Sequence, residues 1–186
     1  MGNDLLLIID MQNVYLPGQP WSCPGILSAW EKIEALLDSK NQYFKNVVFT
    51  RFLPPSNPKG TWEDYNREYR DINENPRMSE MIPECKPYLE QYPLYTKHHY
   101  SSYTIPEIQE LAKKADHVVL AGVVAECCVL FTAIDCMDAG SKVIYLKDAC
   151  AGQNPDTEAT VEKLLHCHEP MHIQVMSCDA YTHLYV

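Results

Sequence analysis

Residues 117–146 read HVVLAGVVAECCVLFTAIDCMDAGSKVIYL. His117–Val123 is a nearly unbroken apolar run, Glu126–Ala139 repeats apolar residues at helical spacing, and Lys142–Leu146 is apolar again. A short apolar run without polar alternation reads as a strand buried on both faces, and such strands belong to parallel sheets covered by helices. Strand, helix and strand in that order are the repeating unit of this architecture. The alternation extends outward in both directions. Asp4–Asp10 (DLLLIID), Asn46–Thr50 (NVVFT), the strand-like PLYT at 93–96 and His172–Met176 (HIQVM) supply further strands. Helical spacing recurs over 24–40, with Ile26, Leu27, Trp30, Ile33, Leu36 and Leu37 apolar, and again at Ile105–Lys114 and Asp156–His166. The expected fold is α/β: three layers, a mostly parallel sheet with helices on both faces, in one domain over residues 1–186.

The 186 residues, 46% hydrophobic and 22% charged, are enough for one domain with a sizeable core. A formal net charge of −10 and the absence of a Lys/Arg run argue against nucleic acid or an anionic membrane surface as partner. No apolar run approaches the roughly 20 residues of a membrane span. MGNDLLLIID carries no basic region followed by a small-residue cleavage site, and Leu6 stands where a myristoylation signal needs Ser or Thr. Eight cysteines without a CxxC pair favour neither a disulfide scaffold nor a zinc ribbon. The expected location is the cytoplasm, with mostly reduced thiols.

The stretch from Leu53 to Pro87 breaks the alternation. It is rich in Pro, Asn and charge and carries Trp62, Tyr65, Tyr69 and Arg70. An insertion of this length in a compact domain serves as a lid or binding loop, as an oligomer contact, or as a solvated excursion.

In an open parallel sheet, ligands bind beyond the carboxyl ends of the strands. Asp10 ends the first strand, Arg51 follows the second, Lys97 follows PLYT, and Cys127 and Cys128 follow the strand of the opening stretch. In isolation Asp10 reads as a strand-end cap and Lys97 as a solvated lysine. A thiol in the first turn of a helix meets unpaired N–H groups and the positive dipole end, which favour its anion. A disulfide between Cys127 and Cys128 is disfavoured, because neighbouring Cα atoms lie about 3.8 Å apart and disulfides span about 4.4–6.8 Å. Successive helix positions point about 100° apart, so one thiol faces the crevice and the other turns away. Periodicity does not choose between them.

The motifs together resemble the isochorismatase-like cysteine hydrolases, the superfamily that includes nicotinamidases and N-carbamoylsarcosine amidohydrolase. LLLIIDMQNVYL (5–16), YTKHHYSSY (95–103), GVVAECCVLFTAIDCMDAG (122–140) and KVIYLKDACAG (142–152) carry the likeness, in the family's order and over most of the chain. The resemblance implies a Rossmann-like topology and a homo-oligomer, dimer or tetramer. It aligns Cys128 with the nucleophile, Asp10 with the general base and Lys97 with the third catalytic residue. It further implies a cis peptide between Val123 and Val124, with the N–H groups of Val124 and Cys128 aimed at an oxyanion. Gln12, Arg51, Trp62 and Tyr103 are the expected substrate-binding residues, Arg51 as partner of a substrate carboxylate or a lid acid.

Metal-binding nicotinamidases carry Asp-x-His after the second strand, where this chain reads TRFLPP (50–55), and no histidine precedes His98. No metal and no cofactor are therefore expected, and His166, Cys167 and His168 read as a solvated helix end. Ala125 replaces a common Thr, and Val14-Tyr15 follows Asn13 in place of Asp-Phe, which leaves the substrate open. Isochorismatases proper do not need a cysteine, so Cys128 favours C–N hydrolysis. The leading expectation is a metal-independent cysteine amidohydrolase that cleaves a small amide or ureide through a thioester. The alternatives are an isochorismatase-type or nicotinamidase-type hydrolase, or a non-catalytic binding protein on the same fold.

Overall fold

The computed structural model describes residues 2–39 and 43–185. Six strands form one sheet: β1 (Asp4–Ile9), β2 (Phe44–Phe52), β3 (Leu94–Lys97), β4 (Val118–Val123), β5 (Val143–Ala151) and β6 (Ile173–Met176). Their order is β3-β2-β1-β4-β5-β6, and every neighbouring pair runs parallel. The helices are α1 (Ile26–Asp38), α2 (Thr61–Glu68), α3 (Arg70–Asn73), α4 (Pro76–Ser79), α5 (Lys86–Leu89), α6 (Pro106–Ala112), α7 (Leu130–Asp138), α8 (Pro155–His166) and α9 (Cys178–Thr182). The helix expected over 24–40 is α1; Lys40 lies outside the described residues, as do Met1 and Val186.

Both faces of the sheet are covered, which is why β1 and β4 are buried at every position. On one face Leu6, Ile8 and Phe49 pack against Ile26, Trp30 and Ile33 of α1 and Tyr181 of α9. On the other, Leu5, Leu7 and Leu120 pack against Ile108 of α6, Ala133 of α7 and Val161 and Leu165 of α8. Strand β5 runs further than the apolar run 142–146. Leu120 pairs with Tyr145 and Gly122 with Cys150, so Lys147 and Asp148 bulge out before pairing resumes.

The chain winds outward from β1 to β3, then crosses back to β4 on the other side of β1. The crevice at such a reversal is where sheets of this kind hold ligands. β1 and β4 approach closely there: a Cβ on Gly122, at φ +113°, would lie 2.2 Å from the Ile9 carbonyl oxygen. Only glycine fits. The Val123–Val124 peptide that follows is cis.

Candidate active site

Asp10 directly follows β1 with a φ of 52°. That left-handed conformation costs a non-glycine residue on the order of 1–3 kcal/mol, and it turns the carboxylate out of the strand direction. Thr50 of β2 fixes it by donating from Oγ1 to Oδ1 at 2.9 Å. Lys97, the last residue of β3, reaches across β2 and sets its Nζ 2.7 Å from Asp10 Oδ2, with both side chains fully buried. The same Nζ donates to Cys128 Sγ at 3.3 Å and to the His99 carbonyl at 3.1 Å, and it lies 5.2 Å from the centre of the Phe52 ring. Asp10, Lys97 and Cys128 therefore converge at the sheet's reversal, from three strand ends far apart in sequence.

Cys128 sits in a widened helical turn, Ala125–Val129, that precedes α7. Cys127 and Val129 both donate their backbone N–H to the Val124 carbonyl, at 3.0 and 3.1 Å. The N–H of Cys128 lies between them and is not used in that pairing. Behind the thiol, Thr132 donates to the Cys128 carbonyl at 2.7 Å and accepts from the Ser102 N–H at 2.9 Å, which ties the turn to the loop after Lys97.

Burial lowers the affinity of Lys97 for its proton, but the Asp10 charge and the hydrogen bonds to Asp10 and Cys128 outweigh it and leave the ammonium above the ordinary lysine value. Cys128 lies well above the ordinary thiol value, first because it hydrogen-bonds with Cys127 and then because it is buried; the Lys97 charge opposes both. The lowered thiol is Cys127, through its hydrogen bond with Cys128.

Tyr15, Trp21, Phe52, Tyr65, Tyr69 and Tyr100 wall a cleft of about 160 Å³ above Cys127 and Cys128, with Val124, Glu126 and Gln153 completing it. A wider cleft of about 790 Å³ continues from Tyr65, Tyr69 and Tyr100 past Trp62, His99 and Phe131. The segment 53–87 covers this region through Trp62 and Tyr65 of α2 and through Tyr69, with Trp62 and Tyr65 ring centres 5.1 Å apart.

Of the residues expected to bind substrate, Trp62 alone lines either cleft. Gln12 is buried and works as a tether: Nε2 donates to the carbonyls of Phe52 and Ser79 at 3.0 and 2.9 Å, and Oε1 accepts from the Phe52 N–H at 2.8 Å. Arg51 follows Thr50 in β2, so strand alternation sends it to the opposite face, where its Nε donates to Thr96 Oγ1 at 2.9 Å. Tyr103 packs half-buried against the second core, and Tyr100 takes the place in the cleft instead. In the sequence Tyr15 is only a departure beside the site, and Trp21 and Tyr100 are not singled out as cleft residues. Nothing in their spacing marks them, because the cleft is assembled from segments far apart in the chain.

Among the described residues no group of three His, Cys, Asp or Glu side chains is arranged to hold a metal ion. His166 pairs with Glu169 at 2.6 Å at the exposed end of α8, and His98 Nδ1 lies 2.9 Å from the Leu53 carbonyl.

The isochorismatase domain profile matches residues 4–176. The chain belongs to the isochorismatase family. It is 27% identical to the maleamate amidohydrolase of Pseudomonas putida over 157 residues, which is 82% of this chain and 73% of that protein. An isochorismatase family protein from Desulfovibrio vulgaris superposes with a TM-score of 0.83 at 20% identity, covering 100% of this chain and 99% of the other. The nicotinamidase of Bacillus subtilis superposes at 0.73 with 21% identity, over 94% and 99% of the two chains. At these identities the structural likeness is one of fold. Family membership makes the chain a hydrolase, with amide-hydrolysing relatives. Among the described residues no helix is long and apolar enough to cross a membrane.

Proposed function

We propose that this isochorismatase-family hydrolase cleaves the C–N bond of a small amide or ureide through a thioester on Cys128, without a metal or cofactor. One observation carries the reading: a single buried ammonium, Lys97 Nζ, lies 2.7 Å from the Asp10 carboxylate and 3.3 Å from the Cys128 sulfur. Three such buried groups meeting at the crevice of a parallel sheet suit nucleophilic catalysis better than packing. The complete set argues against a non-catalytic binding protein.

The steps follow from these contacts. Asp10 accepts the Cys128 thiol proton as sulfur bonds to the carbonyl carbon, and the C=O electron pair moves to oxygen. The N–H groups of Val124 and Cys128 hold that oxyanion; one such donor contributes about 10²–10³-fold. The tetrahedral species collapses, the C–N bond breaks, and the leaving nitrogen takes the proton from Asp10. Asp10 then deprotonates a water that attacks the thioester carbonyl. Sulfur leaves, is reprotonated, and the acid product departs. Lys97 remains charged throughout, holding Asp10 in place and stabilising sulfur whenever it carries charge. Eight cysteines free of disulfides fit a cytoplasmic setting.

Cys128→Ala should abolish hydrolysis of the best substrate in a panel of small amides, while Cys127→Ala retains much of it and chelation leaves the rate unchanged. Mass spectrometry should find the acyl adduct on Cys128. Full activity in a folded Cys128→Ala protein would end the proposal.

A further inference from the structure

The walls of the cleft carry a net negative charge. Glu126 stands beside the two thiols; its Oε1 accepts the Gln153 N–H at 3.0 Å, while Oε2 is buried and finds no donor among the described residues. The outer cleft adds Glu68 and Asp135, while its arginine, Arg67, and Asp64 pair with each other and cancel. The buried Lys97 is paired with Asp10. Arg51, the cation expected to meet a substrate carboxylate, lies on the other face of the sheet against Thr96. The remaining wall is aromatic: Trp21 and Tyr69 meet edge-on at 5.5 Å, Tyr65 and Tyr69 lie 4.9 Å apart, and Phe52 meets Tyr65 edge-on at 6.1 Å.

Aromatic faces attract cations and flat groups, and a carboxylate in a cleft wall without a counter-cation repels another. Resting on the catalytic reading above, we propose that the cleft selects substrates with a planar or cationic acyl group and rejects those carrying a carboxylate. Maleamate, which names the relative from Pseudomonas putida, is itself an amide bearing a carboxylate and would belong to the rejected class. Glu126 and the aromatic wall of Trp21, Tyr65, Tyr69 and Tyr100 set the preference.

Two 4-nitrophenyl benzoates of matched size test this, one with a 4-trimethylammonium group and one with a 4-carboxylate. Sulfur of Cys128 displaces 4-nitrophenolate and forms the benzoyl thioester, which water hydrolyses. The Cys128-dependent rate is that of the unaltered protein minus that of Cys128→Ala. Each rate is divided by that of 2-mercaptoethanol with the same ester, which removes the intrinsic effect of the substituent. The corrected cation-to-anion ratio of kcat/KM should be at least about tenfold, should fall with added salt, and should fall in Glu126→Gln. A ratio near one, or in favour of the carboxylate, with robust Cys128-dependent turnover would overturn the charge preference and leave the catalytic reading standing. No Cys128-dependent release from either ester would overturn the catalytic reading, and the preference with it.

Discussion

A lysine without access to water is stable only where its charge is met, and Lys97 is met on several sides: Asp10 at 2.7 Å, the His99 carbonyl at 3.1 Å, the Cys128 sulfur at 3.3 Å and the face of Phe52. Removing one member of a buried ion pair strands the other and costs about 3–5 kcal/mol, whereas removing both leaves no uncompensated charge. Lys97→Met should therefore destabilise the fold by about that amount, and Asp10→Asn combined with Lys97→Met should recover part of the loss in urea denaturation. Asp10→Asn alone should lower turnover by about 10²–10⁴-fold, the usual contribution of a positioned proton acceptor. A double variant no more stable than Lys97→Met would show that the pair is not coupled. The thiols differ in the same terms. Cys127 is partly exposed and lowered, while Cys128 is buried and raised. Limited iodoacetamide at neutral pH should alkylate Cys127 first, because its sulfur is the more exposed of the two. Peptide mapping that finds Cys128 modified first would show that access to the buried sulfur does not govern the order.

At the scale of elements, the segment 53–87 is held by β1's continuation rather than by a core of its own. Gln12 bonds both Phe52 and Ser79, Met11 accepts from the Ile82 N–H at 2.8 Å, and Asn13 Nδ2 donates to the Arg77 carbonyl at 3.0 Å. Gln12→Ala would leave buried backbone groups at Phe52 unpaired, at about 1–3 kcal/mol each. The expected results are faster proteolytic nicking within 53–80 and a higher KM, with Cys128 still reactive; unchanged nicking and KM would rule out the tether. The role of Gln12 was hidden in the sequence for a physical reason. A glutamine after a strand serves a ligand or a backbone equally well, and the difference lies in Ser79, far along the chain. The strands were readable because burial on both faces leaves continuous apolar runs, as in Leu5–Ile9 and Val118–Leu120. Strand β5 was read short because the bulge at Lys147 and Asp148 interrupts its run. Helix α9 spans only Cys178–Thr182, too short for a periodic pattern. Asp10, Lys97 and Cys128 were found through their order among family motifs, since spacing alone left each an ordinary residue and left the choice between Cys127 and Cys128 open.

The whole molecule carries more apolar surface on its α7 and α8 side than a small domain needs to expose. Phe131 and Ile134 of α7 and Leu164 of α8 are 47%, 44% and 45% exposed. A groove of about 350 Å³ runs between Ile134, Met137, Leu164 and Leu165. Their spacing explains the exposure. Ala133 and Cys136 turn inward to the sheet, so Ile134 emerges on the far side of the same helix, where a solvated helix would carry a polar residue. A second copy of this chain is the partner we expect there, since a self-complementary patch about a two-fold axis closes without leaving apolar groups exposed. The position adjoins the proposed site, because Phe131 also lines the outer cleft and contacts Tyr100 at 5.4 Å between ring centres. Light scattering at micromolar concentration should give a dimer or tetramer, and Ile134→Glu should shift it toward the monomer with the far-ultraviolet spectrum unchanged. If assembly also orders the cleft, the monomeric variant will show a raised KM together with its lowered mass. A monomeric unaltered chain at the same concentration would refute the assembly.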